Sequence, residues 1–432
     1  MHRNSNYSLF YIAGMPYLLP FGQGIADQKR GVRINDTGLL IWELLKTDRT
    51  EKELLDLYAS HFECSDSELP QMEADLRQFI HMLDNFGIIM HNSDITDNCS
   101  APADLNTPSG LAVSTGDDIF NNPSGVKRYL SIGGLTLLLC GPKEAFTQEF
   151  DAFEIPSASH DSASHDSSSH NPSSLHIDQT ITVIGCASSF QPGDTVGDTV
   201  LLRNSELVVI RDDSHYRFLF PAAPGIYESH LSIDGTDACY YCCPPFTESL
   251  QQDLFHAIRL SFLYLAQQHN MIVLHSASML YRNRAWLFSG HSGAGKSTHT
   301  NLWKKLYGIH LINGDLNLLT IESGHPMVHG LPWCGTSGIS DTRSYPLGGI
   351  FLVKKSSENR TEPLSDDKAQ LLVTQRLISP GWTEAMLQKN LDLTAEITPY
   401  ILIRRLYCTK EPEAAETCKQ AIDGYLDVTV QP

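Results

Sequence analysis

Apolar side chains recur along this chain with two different periods, and the switches between them mark its elements. Near the N-terminus, YLLPFG (17–22) and GVRIN (31–35) are short apolar runs punctuated by Gly and Pro, which predicts strands. TGLLIWELL then sets Leu40, Ile41 and Leu44 on one face of a helix. Thr50 and Glu53 make a Thr-x-x-Glu capping box that opens a second helix through LLDLYASHF. In a third helix Met72, Leu76, Phe79, Leu83 and Phe86 recur at three-and-four spacing, until Gly87 supplies the stop. Two or three strands followed by three helices within residues 1–92 predict a winged-helix-like module.

Residues 93–128 are polar, rich in Asn, Asp, Ser, Pro and Gly, and without a period, which predicts a flexible linker. From 129 to 246 the pattern turns to strand-like runs: YLSIGGLTLLLC, ITVIGC, TVLL, ELVVI and YRFLF. They are interrupted at 157–176 by SASHDSASHDSSSHNPSSLH, a five-residue repeat that spaces His160, His165 and His170 evenly. Nothing in it can fill a core, so a disordered surface insertion is expected, with metal binding the other use of a His-rich tract. Residues 247–269 read as a helix with Leu250, Leu254, Ile258, Phe262 and Leu265 facing inward. The strands MIVLHS, AWLFSG and LGGIFLVKK, the helix SDDKAQLLVTQRLIS and the strand YILIRRLYC complete a mixed α/β core over 247–432.

A length of 432 residues leaves room for two or three domains. Lys and Arg number 31 against 50 acidic residues, a formal net charge of −19. That balance argues against sequence-independent binding to nucleic acid or to an anionic membrane, although one local basic groove stays compatible with it. MHRNSNYSLFYIAG does not read as a signal peptide, and no apolar run approaches the roughly 18 residues of a membrane span, so a cytoplasmic, reducing location is expected. Ten cysteines are too sparse for a disulfide framework. Cys239, Cys242 and Cys243 in CYYCC read as thiols on a strand rather than as a zinc site, because no second pair stands at finger spacing.

GHSGAGKS at 290–297 fits G-x-x-x-x-G-K-[ST] in full, after an apolar strand and before the helix KSTHTNLWKKLY. Gly290, His291, Ser292, Gly293, Ala294, Gly295, Lys296, Ser297 and Thr298 are the candidate nucleotide-binding residues. The glycines let successive N–H groups turn into one concavity, and the helix start adds partial positive charge. Lys296 is placed to reach the β- and γ-phosphates, and the Ser297 hydroxyl to ligate magnesium. Upstream, His275 ends a strand; downstream, Asp315 in HLINGDLNLL follows an apolar strand, where a Walker-B-type metal ligand belongs. Taken alone, each also suits a structural role, the Gly314-Asp315 pair as a turn.

Four stretches, LHSAS, GHSGAGKSTHTNLW, LINGD and GLPWCG, together resemble the superfamily of HPr kinase/phosphorylase and ATP-dependent phosphoenolpyruvate carboxykinase, over about 129–425. The resemblance implies ATP and Mg2+, with His275, Asp315 and Ser297 at the metal and Asp315, Lys296 and His275 as catalytic residues. HPr kinases carry two adjacent aspartates where this chain has Gly314-Asp315. Either Asp315 serves both roles, or His275 or His299 substitutes, or catalysis is weak. Trp333, Cys334 and Arg343 are expected on a loop over nucleotide or acceptor, with Arg343 read more readily as a surface residue than as a phosphate ligand. The family's ring assemblies leave homo-oligomerisation open.

The first module resembles the PqqD-like family, the recognition element of ribosomal peptide modification systems, over about 1–92. The matching features are Leu-x-Pro-x-Gly within YLLPFG, then INDTGLLIW and TEKELL, with Asn35, Thr37, Gly38 and Trp42 the most telling. The resemblance implies that a precursor leader is bound as an added strand along Val32, Arg33, Ile34 and Asn35. A winged-helix module that binds nothing is the alternative. Joined, the two modules imply a Ser/Thr kinase of a ribosomally made precursor peptide, tethered at an effective concentration of ~1 mM. A kinase of a small metabolite such as free serine, or a nucleotide-binding scaffold without catalysis, are the other readings. A carboxykinase is disfavoured, because its large substrate domain has no room here.

Overall fold

The structure is a computed structural model that describes residues 1–62, 67–91, 125–156, 175–187 and 199–429. Most of the expected linker, and residues 157–174 of the Ser/His repeat with all three evenly spaced histidines, lie outside the described residues. The chain divides into two compact units. One comprises Met1–Val113 with Leu201–Asn204 and Gly381–Gln388, and the other the remainder.

In the first unit β1 (His2–Arg3) is followed by the hairpin β2 (Tyr7–Ile12) and β3 (Met15–Pro20), the one-turn helix α1 (Gln23–Ala26) and β4 (Val32–Arg33). Ala13 and Gly14 close the hairpin with φ of 47° and 77°, the two positive values a tight primed turn requires. Three helices then follow in order, α2 (Asp36–Leu44), α3 (Glu51–His61) and α4 (Leu69–Asn85), and β5 (Ile89–Met90) returns to pair with β1. Local chemistry fixes the helix starts. The Asn35 side chain accepts from Gly38 N–H at 2.9 Å. Thr50 and Glu53 form the full reciprocal box, each side chain accepting the other's backbone N–H. The apolar faces meet in a core of Leu18, Ile41, Trp42, Leu54, Leu76 and Leu83, all at most 2% exposed. The three-stranded sheet runs β2-β3-β4, so GVRIN supplies only a two-residue edge strand.

A sheet of eight strands follows, in the second unit apart from Leu201–Arg203. These are β6 (Gly125–Ile132), β7 (Leu135–Pro142), β8 (Gln179–Gly185), β9 (Thr199–Arg203), β10 (Val208–Arg211), β11 (His215–Leu219), β12 (Ile226–Ser232) and β13 (Asp237–Cys242). Their order is β6-β7-β8-β13-β12-β11-β10-β9. β6 begins at Gly125, inside the stretch expected to be linker. Cys239 and Cys242 lie on β13, where burial pushes their thiols up to about 11 and about 12. The helix α5 (Glu248–Gln268) buries all five of the leucine, isoleucine and phenylalanine positions predicted to face inward.

The α/β core follows: β14 (Ile272–Tyr281), β15 (Arg284–Ser289), α6 (Lys296–Tyr307), β16 (Leu311–Asn313), β17 (Leu316–Glu322), β18 (His325–His329) and β19 (Ser344–Lys355). It ends with β20 (Arg360–Pro363), α7 (Asp366–Thr374), α8 (Glu384–Ile397), β21 (Leu402–Cys408) and α9 (Glu413–Thr429), of which β20, α8 and α9 are additions to the predicted elements. Strand order is β15-β14-β17-β18-β19-β21-β20, with β16 on β14, and β15 also pairs in parallel with β19. β15, β14, β17, β18 and β19 thus close a ring, whose interior is filled by Leu274, Leu287, Ile312, Leu319, Val328 and Ile350. On the other side Trp286, Phe288, Phe351, Trp303 and Ile422 pack α6 and α9 onto the strands. No helix among the described residues is long and apolar enough to cross a membrane.

Candidate active site

β15 delivers the chain to Gly290 with its last residues fully buried, so the loop that follows starts from a fixed point. Gly290 cannot be larger, because a Cβ there would come within 2.9 Å of the Val353 carbonyl oxygen. Gly293 and Gly295 take φ of 71° and 103°, the left-handed values that favour glycine. Gly295 is the N-cap of α6 and no side chain caps the helix, so its first-turn N–H groups are left for an anion. Lys296 is buried and curls back to donate to the Gly290 carbonyl at 3.3 Å. Burial pushes its ammonium pKa down, while Asp315 opposes that shift. Ser297 and Thr298 stand exposed in the first turn.

Across from the loop, His275 lies on β14 and Asp315 in the break between β16 and β17. The His275 Nε2 is 3.1 Å from Asp315 Oδ1, with each side chain about one-third exposed (32% and 31%). The hydrogen bond from His275 is the main cause holding the Asp315 carboxyl below its usual range, helped by the charges of Lys296 and Arg259. A buried amide network fixes this break. Asn313 Oδ1 accepts the N–H of Asp315 and of Leu316, both at 2.9 Å. Asn317 bridges Ser278 and Ser276, and the Ser276 N–H donates to the Asp315 carbonyl at 2.8 Å. Register therefore brings together residues 40 positions apart, and the carboxylate is aimed rather than free to rotate away.

The segment after β18 corrects part of the sequence reading. Trp333 does not cover the loop at 290–297. Its indole N–H donates to the Phe255 carbonyl at 2.9 Å, and its ring packs on Phe150, Phe255 and Phe262 at 1% exposure. Gly335, at φ 59°, lies against the Asp315 carboxylate, where an added Cβ would stand 3.2 Å from Cγ. Ser337 occupies the space that a side chain at 314 would need: a Cβ on Gly314 would fall 2.0 Å from its Oγ and 2.4 Å from its Cβ. The turn therefore leaves no room for a side chain at position 314.

His299, a candidate substitute base, faces the core instead. It is 2% exposed, accepts from the Trp303 indole at 3.1 Å and packs on Phe288, and burial pushes its pKa down to about 4. Arg343 donates to Asp341, which also accepts from Tyr345 and contacts His310, so it belongs to that surface cluster.

Two arginines escaped the sequence reading. Arg376, just past α7, places its guanidinium 2.7 Å from His291 Nε2 and 3.3 Å from Nδ1, and its carbonyl accepts the His275 N–H at 3.0 Å. A guanidinium only donates, so His291 Nε2 is the acceptor; Arg376 is the main cause holding the His291 pKa down. Arg259 projects from α5 into the field of Asp315. Neither position carries a spacing signature, because a lone arginine on a helix is ordinary in sequence.

The leader-recognition candidates lie in the first unit. Val32 and Arg33 form the edge strand, half-buried and exposed respectively. Ile34 is buried in the core and its N–H donates to the Pro16 carbonyl, while Asn35 caps α2.

Residues 25–89 match the family model described as Coenzyme PQQ synthesis protein D (PqqD), and this stretch is a PqqD domain. Among solved structures, the Hpr(Ser) kinase/phosphatase from Coxiella burnetii is similar at 10% identity, over 36% of this chain and 98% of that one, with a TM-score of 0.23. No curated protein matches the chain.

Proposed function

We propose that this protein is an ATP-dependent kinase that phosphorylates a serine or threonine hydroxyl of a ribosomally made precursor peptide, whose leader binds the PqqD domain. One observation carries the reading. A phosphate loop with an uncapped helix start and a buried lysine shares its electrostatic field with a His275–Asp315 pair 3.1 Å apart, in a chain that also holds a PqqD domain.

The residues present fit a magnesium nucleotide. Gly293 and Gly295 curl the loop, and Lys296 supplies the cation for the β- and γ-phosphates. No three His, Cys, Asp or Glu side chains gather as a metal cage among the described residues. That suits Mg2+, which keeps phosphate oxygens and waters as ligands and needs only one or two from protein, here Ser297 and Asp315 with His275 beside them. When bound, the ion would neutralise charge on the transferring group. The acceptor oxygen attacks the γ-phosphorus, an O–P bond forms, and the bond to the β-phosphate oxygen breaks with its electron pair leaving on ADP. Asp315, ionised at neutral pH, takes the hydroxyl proton on the oxygen that His275 does not hold.

The test is intact-mass spectrometry of a precursor peptide encoded beside this protein, incubated with ATP, magnesium and the full chain. One phosphate gained by the peptide, and lost with Lys296→Ala, is expected. ATP binding without any phosphorylated product would favour a nucleotide-binding peptide scaffold.

A further inference from the structure

Arg259 on α5 is a half-buried cation beside the Asp315 carboxylate. Phe255 and Phe262, four residues before it and three after, pack on the Trp333 ring, and the Trp333 indole donates to the Phe255 carbonyl at 2.9 Å. Side chains at that spacing share one face of a helix, so Arg259 stands on the face turned to the Trp333 segment. Two residues past Trp333, Gly335 lies against the Asp315 carboxylate. Arg259 thus approaches Asp315 from α5, whereas Lys296 approaches it from the loop at 290–297.

Other enclosed arginines of this unit are ion-paired, Arg217 to Glu228 at 3.2 Å and Arg128 to Asp151 and Glu154 at 2.6 and 2.9 Å. Arg259 makes no hydrogen bond and no ion pair among the described residues. A guanidinium only donates and stays charged, so partial burial removes water that nothing in the protein replaces. Its field also separates it from the cations at the phosphate loop. The charges acting on Lys296 are those of Asp315 and Arg376, while those acting on Asp315 include Lys296 and Arg259. His256, one turn before Arg259, has its pKa held down by burial and then by Arg259, so it is neutral at neutral pH and Arg259 supplies the fixed positive charge there.

We propose that Arg259 determines specificity for the acceptor, binding the side-chain carboxylate of an Asp or Glu that lies within about three residues of the phosphorylated hydroxyl. The inference rests on the kinase reading above and adds the local chemistry of the acceptor segment. The hydroxyl has to reach Asp315, extended residues advance about 3.3 Å each, and a fixed charge acts over about 10 Å in ordinary salt, which sets that reach. The guanidinium fork takes both oxygens of a carboxylate, so it also fixes which hydroxyl arrives at Asp315. Asp253 and Glu149, whose charges likewise act on His256, repel a carboxylate placed elsewhere, so one flanking position is selected rather than acidity in general.

The test takes the precursor peptide of the preceding experiment, with the full chain, and randomises about three residues on each side of the phosphorylated hydroxyl. It is run with the native C-terminus and with a run of glycines added to it. Mass spectrometry of the phosphorylated fraction should show Asp or Glu enriched at one flanking position. A peptide with that acid should be preferred to its Asn or Gln counterpart by about tenfold or more in kcat/KM, with the difference in KM. Arg259→Gln should bring this ratio close to one, Arg259→Lys should keep part of it, and Arg259→Glu should turn the preference toward a Lys-bearing peptide. A structural role would slow both peptides alike and leave the ratio standing, which would overturn the inference. Enrichment of neutral or basic flanks would overturn it too. Weaker ADP binding in Arg259→Gln with the ratio unchanged would assign the arginine to the nucleotide and overturn it as well. Enrichment lost on glycine extension would give Arg259 the chain terminus in place of a side chain, against the proposal. Transfer by the wild-type chain to no peptide would remove the kinase reading itself, and the inference with it.

Discussion

Gly314→Ala is the sharpest probe of how this site is built. An added Cβ would lie 2.0 Å from Ser337 Oγ, 2.4 Å from Ser337 Cβ and 3.3 Å from the Cys334 carbonyl oxygen. Ordinary contact begins near 3.4 Å, so the overlap with Ser337 is about 1 Å or more. Gly314 is not among the residues with positive φ, so its backbone accepts an L side chain and the cost is packing alone. Overpacking of that kind costs about 1–3 kcal/mol. Displacing Ser337 also forfeits its bonds to the Cys334 carbonyl and from the Ile339 N–H, at about 1 kcal/mol each. The single variant should therefore lose roughly 3–5 kcal/mol. Ser337→Ala cannot rescue it, because the Cβ overlap remains; Ser337→Gly can. Thermal melts of Gly314→Ala, Ser337→Gly and the pair should show a coupling of about 2 kcal/mol, a rescue of roughly 4–8 °C in a unit of this size. Additive losses, with no rescue by glycine, would refute the assignment of Gly314 to Ser337. If the pair is rescued, Gly314→Asp with Ser337→Gly tests whether a second carboxylate speeds transfer.

The hydrogen bond from His275 holds the Asp315 carboxyl below its usual range, so this group's contribution to stability is present above the ordinary aspartate value of about 3.9 and lost as pH falls through the lowered one. Peptide phosphorylation should accordingly show no acid limb from Asp315 above that value, and His275→Ala should move the limb upward; an unmoved limb in a pH–rate profile would break the link. Asp315→Asn should cut transfer by about 10²-fold or more with the fold intact, read by intact mass and circular dichroism. Arg376→Ala should let the His291 ring titrate closer to its ordinary value of about 6.5, followed by NMR, because Arg376 is the main cause of the lowered pKa. It should weaken nucleotide binding as well, and a ring titration unchanged by the variant would remove Arg376 from the loop.

Everything the sequence resolved is short in range. The capping box at Thr50, the inward face of α5, and the strand, turn and helix of the phosphate loop each depend on residues within a few positions of one another. Helical spacing and glycine φ are enforced locally, so α6 runs from Lys296 to a left-handed Gly308 as its pattern requires. Strand register made the rest. It sets His275 against Asp315 from 40 residues away, and it buries Trp333 and His299, whose local sequence reads equally well as surface loop or open helix face. It also puts Ser337 where a side chain at 314 would stand, and brings Arg376 onto the loop from 85 residues beyond His291. Those contacts join elements whose separation along the chain carries no periodic trace, so only the closed sheet decides them.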